Sequence, residues 1–377
     1  MPLSHYDAIV IGTGGVGSAA MYHLARRGVK VLGLDRFPPA HDRGSSHGRT
    51  RIIRQAYFEH SDYVPLLKRA YELWSELEQL QGKQLYREIG LLQIGPSDGV
   101  VVPGVLKSAA QHNLPVETFS PDDMRRQFPG FRVADERQGV LERRAGYLRV
   151  EDCVLAHLAA AEWHGAELKT GAAVVSWRAE GNGVMVNTDS AAFHADKLIL
   201  TAGPWAGHLL RDLNIPLEVR RKPQFWFACD DPRYHADNGC PAFLFETPGG
   251  IFYGFPNAEN WGVKAACHSG GEPIVDPLAL DRTLRPEDQS QIERFLAVHL
   301  PGVSHRVLHH EVCMYTMSPD EHFIVDRHPR WPQVCFAAGL SGHGFKFTSV
   351  LGEALADFAL AGRTTFPIDF LSLRRFG

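Results

Sequence analysis

The sequence predicts a mixed α/β (α+β) fold in which a Rossmann-like dinucleotide-binding domain is interleaved with an antiparallel-sheet substrate domain. Three observations predict it. Residues 7–17, DAIVIGTGGVG, run a short apolar strand into Gly12, Gly14 and Gly17, and a helix-compatible stretch follows. A second strand then ends at Asp35, the acidic position such a unit carries roughly 20 residues past its glycines. Aromatic-rich alternating runs between Arg221 and Lys264 have the period of an antiparallel sheet.

Taken in order, Gly12 permits a sharp turn, Gly14 lets backbone approach a pyrophosphate, and Gly17 allows close helix–strand packing. The helix from Ser18 to Arg27 presents its N-terminus to the phosphates. The strand Val29 to Leu34 places Asp35 to accept hydrogen bonds from a ribose. Apolar residues at helical spacing (Val64, Leu67, Ala70, Leu73, Leu77) predict a helix over Tyr63 to Leu80, and Leu85 to Ile94 turns strand-like. Ser120 caps a short helix that has Pro121 at its first position and stops before Pro129. Residues 151–164 read as helix, and Gly165 to Leu168 begins strands that culminate in Lys197 to Leu200. The following Thr201-Ala202-Gly203-Pro204-Trp205 forms a second strand-to-loop junction of the kind that lies against a dinucleotide. Gln224 to Phe227 and Gly250 to Phe255 give the antiparallel strands, interrupted by a helix over Pro286 to Leu300. A strand at Val334 to Ala338, a glycine-rich loop to Lys346 and a helix from Thr348 to Ala361 form a last βα unit on the first sheet.

Composition narrows the function. With 377 residues the chain exceeds one ordinary domain, and its net charge of −4, without a Lys/Arg stripe, argues against a nucleic-acid partner. No apolar run approaches the roughly 18 residues needed to span a bilayer, and the strand at 8–11 lacks a signal peptide's charged flank and cleavage site. A cytoplasmic location is expected. The six cysteines are scattered without CxxC pairs and read as reduced thiols; the nineteen histidines show no metal-ligand spacing.

Four spaced motifs carry a resemblance. They are the glycine unit ending at Asp35, the Gly44–Tyr57 stretch GSSHGRTRIIRQAY, the Cys313–Asp326 stretch CMYTMSPDEHFIVD, and the Gly339–Glu353 stretch GLSGHGFKFTSVLGE. On these the chain resembles the monomeric sarcosine oxidase and N-methyltryptophan oxidase family, within the FAD-dependent superfamily of D-amino-acid-oxidase type. The resemblance covers essentially the whole chain. It implies an FAD-binding domain from residues 1–84, 147–219 and 319–377, and a substrate domain from 85–146 and 220–318.

The resemblance also assigns roles. Arg54 and Lys346 are expected to grip a substrate carboxylate, which a guanidinium's planar fork suits. His47 and Arg51 are expected to lie against the flavin ring, and Lys264 to stabilise superoxide as oxygen takes its first electron. Tyr253 and His268 match active-site positions, and Tyr315 shares a strand face with Cys313, the expected point of covalent FAD attachment. The cofactor set extends to Gly15, Val16, Arg36, Ser45, Val174, Ala202, Gly203, Trp205, Gly342, Gly344 and Phe345. Two departures stand out: Ser46 replaces a histidine common in the family, and Arg49 replaces an acid.

The implied reaction is oxidative demethylation of a secondary amino acid such as sarcosine, with oxygen reduced to hydrogen peroxide. N-methyltryptophan or a cyclic imino acid (proline, pipecolate) presents the same amine and carboxylate. A flavin-binding subunit without turnover would not need Arg54, Lys264, Lys346 and Cys313 together. The expected partners are therefore a small amino acid and O2, with the protein a monomer and no metal.

Overall fold

In a computed structural model, which describes residues 5–377, the apolar run preceding the glycines forms β1 (His5–Ile11), turns into α1 (Gly15–Ala25) and returns as β2 (Val31–Leu34). β1 lies parallel between β2 and the strand Ala192–Leu200 inside an eight-stranded sheet. The far edge of Ala192–Leu200 is shared: its first half pairs antiparallel with Gly183–Thr188 and its last residues pair parallel with Val334–Ala338.

Two of the three glycines are dictated by backbone packing. Gly12 has φ +85°, and a Cβ there would lie 2.6 Å from the Thr201 carbonyl oxygen. A Cβ on Gly17 would lie 1.8 Å from the Gly12 carbonyl oxygen, so α1 can sit on β1 only with glycine there. Every residue of α1 is buried, because Val150–Trp163 and Thr348–Ala361 flank it on the sheet surface. A helix covered on all sides needs no polar stripe, and GVGSAAMYHLA has none.

The aromatic segment builds a separate nine-stranded sheet from 91–142 and 218–317, antiparallel apart from one parallel pairing of Leu91–Pro96 with Ala242–Thr247. Phe225 and Phe227 alternate with Trp226, so one face meets Phe243, Phe245, Phe252 and Phe295 in an aromatic core beneath the helix Pro286–His299. The opposite face packs on the helix Val101–His112 and on a three-stranded sheet of Thr50–Ile53, Tyr86–Glu88 and Gly146–Arg149.

Most predicted elements form, with instructive differences. The first helix starts at Gly15 rather than Ser18, since the glycines themselves are its first turn. Leu85 to Ile94 is not one strand. The chain breaks at Gly90 (φ +76°), where the Ile89 and Gly90 N–H groups both donate to Ala145, and sends Tyr86–Glu88 and Leu91–Pro96 into different sheets. The helix Val101–His112 had no expectation behind it; a proline at its third position hid the pattern. The Ser120 cap forms with its reciprocal Asp123 bond. Among the described residues no helix is long and apolar enough to cross a membrane, and no cluster of potential metal ligands occurs.

The helical layer encloses two histidines. His23 has no partner for either ring nitrogen, and His157, packed 5.1 Å from Trp74, has none for Nδ1. Burial pushes His157 down to about 3 and His23 well below its usual value, so both are neutral when folded. The unfolded chain takes up these protons first as pH falls. Stability is therefore whole above about pH 6.5 and lost below it, until His157 protonates in the fold. His157→Phe should lose about 2 kcal/mol less than the parent between pH 7 and 5, by denaturant unfolding; equal losses would show that His157 does not titrate on unfolding.

Candidate active site

The carboxyl ends of β1, β2 and Ala192–Leu200 open onto the nine-stranded sheet, and between them lies a cavity of about 560 Å³. Open parallel sheets place ligands at this end of their strands. All the site residues named from sequence reach its wall except Gly17, His47, Lys264 and Cys313. Gly17 is taken up by helix–strand packing; the other three stand behind the wall.

At one end the wall is the glycine loop. The Asp35 carboxylate accepts from the Thr13 N–H (2.7 Å), the Thr13 hydroxyl (3.1 Å) and the Phe37 N–H (3.0 Å). Burial opposes its ionisation, yet hydrogen bonds from His41, Phe37 and Thr13 outweigh that and hold it below the usual carboxylate range. The N-cap Gly14 offers no side chain to α1, so apart from the Gly15 N–H the positive end of the helix is left toward the cavity. Ser46, the departure from the family pattern, accepts from the Gly15 N–H at 3.1 Å. Trp205 Nε1, Thr316 Oγ1 and Thr348 Oγ1 lie buried without partners in residues of the same wall. A close-packed glycine loop, an open helix end and orphaned polar atoms fit a long, polar, phosphate-bearing cofactor such as FAD.

At the other end the wall is cationic. The Arg54 guanidinium is buried over the Tyr57 and Phe58 rings, 4.6 Å from each. One of its nitrogens contacts both carboxylate oxygens of Glu59 at 2.6 Å, while Nε has no partner. Glu59 is a residue that sequence reasoning missed: it follows Arg54 by five positions in irregular chain, where no period assigns it a side. Lys346 Nζ donates to the His343 carbonyl (2.6 Å) and approaches the Tyr57 hydroxyl (3.4 Å). Burial, reinforced by Arg54, brings Lys346 down to about 7. His268 lies 3.4 Å from the Tyr315 hydroxyl, and burial, with Lys222 nearby, lowers it to about 3. Burial likewise keeps Tyr253 and Tyr315 protonated.

Behind the wall, Lys264 Nζ donates to the Gly48 carbonyl at 2.6 Å and the Thr50 carbonyl at 3.1 Å, under the ring of Trp226. It holds the segment that carries Arg51, which is on the wall. Arg51 reaches back to the Cys313 sulfur at 3.2 Å, and that sulfur lies 3.5 Å from the Ser45 carbonyl. His47, nearby, contacts Glu311 at 2.7 Å. Tyr315, two residues on from Cys313, reaches the cavity directly.

Comparison with known proteins agrees with this geometry. Residues 7–358 match the family model described as "FAD dependent oxidoreductase" (DAO). The chain is 40% identical over 375 residues to a monomeric sarcosine oxidase of Arthrobacter sp. (strain TE1826), covering 98% of this chain and 96% of that one. It is 40% identical over 374 residues to an N-methyl-L-tryptophan oxidase of Yersinia pestis (strain Pestoides F), covering 98% and 99% respectively. Among solved structures it is similar to the open form of NikD, an unusual amino acid oxidase essential for nikkomycin biosynthesis (TM-score 0.86, 25% identity, covering 98% of this chain and 97% of that one). L-proline dehydrogenase from P. horikoshii shares the fold (TM-score 0.85, 19% identity, covering 99% and 98%). With the glycine-loop groove, the full-length relatives and the family match in agreement, the chain belongs to the DAO family of FAD-dependent oxidoreductases.

Proposed function

We propose that this protein oxidatively demethylates a secondary, N-methyl amino acid such as sarcosine. The observation that carries this reading is the pair of buried cations, Arg54 and Lys346, on the cavity wall beyond the glycine loop. Two desolvated cations in a water-poor pocket make a receptor for one small carboxylate. The full-length relatives named for sarcosine and N-methyl-L-tryptophan support an N-methylated substrate.

Bound in the groove, FAD would accept a hydride from the carbon next to the substrate nitrogen and pass the electrons to O2, with water hydrolysing the imine to aldehyde and amine. The chain's residues would set up that chemistry. Arg54 would offer its guanidinium to the carboxylate, with Glu59 yielding a share of it when the substrate arrives. An anion beside Lys346 lifts its proton affinity again, so binding charges the lysine fully. Surrounding cations favour the neutral amine, the form that can give up a hydride, and His268 is neutral beside Tyr315. Such a site needs no strong general base. Arg51 would supply fixed positive charge for the oxygen half-reaction, and Lys264, which burial and Arg51 hold well below its usual value, would gain charge as negative charge develops near it. Arg51 beside the Cys313 sulfur supports a covalent tether between Cys313 and the cofactor.

A panel of N-methyl and cyclic amino acids scored by peroxide release tests the substrate class; activity confined to primary amino acids overturns it. Arg54→Ala removes one carboxylate partner and leaves Glu59 unpaired beside the substrate, so kcat/KM should fall at least tenfold, from about 1.5–3 kcal/mol of lost binding. Unchanged kinetics would take Arg54 out of the site. Lys264→Met should slow flavin reoxidation by about 10²–10³ while anaerobic reduction by substrate changes far less. Stopped-flow absorbance resolves the two steps, and the reverse pattern would move Lys264 to the amine half-reaction. Acid-denatured protein should keep its flavin in the pellet and Cys313→Ser should release it; flavin that washes free of the parent refutes the tether.

A further inference from the structure

Resting on the Cys313 tether just proposed, the question is what makes that sulfur reactive. A buried thiol in apolar surroundings is inert, and the thiolate is the nucleophile. Cys313 is 1% exposed and lies on the strand Val307–Met317, facing the 45–51 segment. Two cationic groups meet it there. Arg51 donates to the sulfur at 3.2 Å, and His47 lies close enough for its charge to act on the sulfur. His47 is 2% exposed, and its Nε2 has no hydrogen-bond partner.

The other ring nitrogen, Nδ1, contacts Glu311 at 2.7 Å, and Glu311 also holds His309 at 2.8 Å. Glu311 stands two residues before Cys313, on the same strand face. The arrangement answers one of the departures seen in the sequence. Arg49 occupies a position where the family resemblance leads one to expect an acid, and its guanidinium turns to Trp226 (5.5 Å) and Trp261 (5.2 Å). Two carboxylates serve this corner instead: Glu151, which accepts from the Gly48 N–H at 2.7 Å and the Arg49 N–H at 3.1 Å, and Glu311 from the facing strand, the one that contacts His47.

We propose that Glu311 is a positioning residue for cofactor attachment: it orients and charges His47, which with Arg51 holds the Cys313 sulfur as the thiolate that forms the thioether. The hydrogen bonds from His47 and His309 overcome burial and keep Glu311 at about 2. Burial works against charge on His47, but Cys313 and Glu311 lift it to about 9. Burial likewise opposes the thiolate, and Arg51 and His47 bring Cys313 down to about 7. Lys222, directly across the strand pair, together with Arg282, adds positive potential, while burial, reinforced by Arg51, holds Lys264 well below its usual value. Tyr253 and Tyr315 face the sulfur as neutral hydroxyls.

The thioether replaces one hydrogen of a flavin ring methyl with sulfur and displaces the thiol proton. The two electrons left in the ring go to O2, which leaves with the two protons as hydrogen peroxide, so the oxidase's own acceptor balances the step.

The test uses full-length protein purified from riboflavin-limited cells and mixed with FAD, with attachment followed by acid quenching and in-gel flavin fluorescence. Glu311→Gln should bind FAD with unchanged stoichiometry and attach it about fivefold more slowly at pH 7, the loss of thiolate that a one-unit rise in the thiol's pKa brings there. The deficit should close as pH rises, and Glu311→Asp should recover part of the rate. An identical rate and pH profile in Glu311→Gln overturns the proposal and leaves the tether standing. Flavin lost from the parent on denaturation overturns the tether alone. The ultraviolet thiolate signal of the parent minus that of Cys313→Ser then decides the proposal, which fails if Glu311→Gln titrates like the parent.

Discussion

The contact between β1 and α1 is the constraint on which the rest of the structure depends. With the Gly12 carbonyl 1.8 Å from where a Gly17 Cβ would stand, helix and strand touch backbone to backbone. That contact fixes the direction of α1, and with it the helix end that faces the cavity. Thr201, at the end of the neighbouring strand, closes the junction by donating its hydroxyl to the Gly12 carbonyl at 2.7 Å. The second loop of the cofactor groove is thus tied to the first by a hydrogen bond as well as by the sheet.

Around that frame the site collects positive charge in a place that disfavours it. Arg51, Arg54, Lys264 and Lys346 are all withdrawn from water near the cavity, and removing an ion from water costs several kcal/mol. The fold offsets this with few carboxylates. Glu59 serves Arg54 and Glu311 serves His47, while Lys264 and Lys346 rely largely on backbone carbonyls. A pocket so arranged is short of negative charge, and an amino-acid carboxylate supplies it. Burial keeps the groups beside it, His268 and the two tyrosines, uncharged.

The cavity belongs to neither sheet alone. One end is the mouth of the parallel sheet, while Tyr253, His268 and Tyr315 come from the nine-stranded sheet and its edges. The 44–59 segment, with Ser45, Arg51, Arg54 and Glu59, runs between them. A route through both sheets lets one set of residues hold a cofactor while another shapes the substrate pocket, so the second can vary without loosening the first.

Much of this was written in the sequence by itself. The glycine spacing and Asp35 determined the βαβ unit, because backbone clearance and ribose contact each demand one residue type at one place. The alternating aromatics determined the second sheet, because side-chain direction repeats every two residues along a strand. Family motifs located most of the cavity wall. Tertiary structure alone decided the rest. It split Leu85 to Ile94 between two sheets at a left-handed Gly90, and no local period records which sheet a strand joins. It placed Lys264 and Cys313 behind the wall and Arg51 on it, and it supplied Glu59 and Glu311 as partners for Arg54 and His47. Those pairings span up to 264 positions of chain, and electrostatic energy depends on distance in space, which sequence separation does not give.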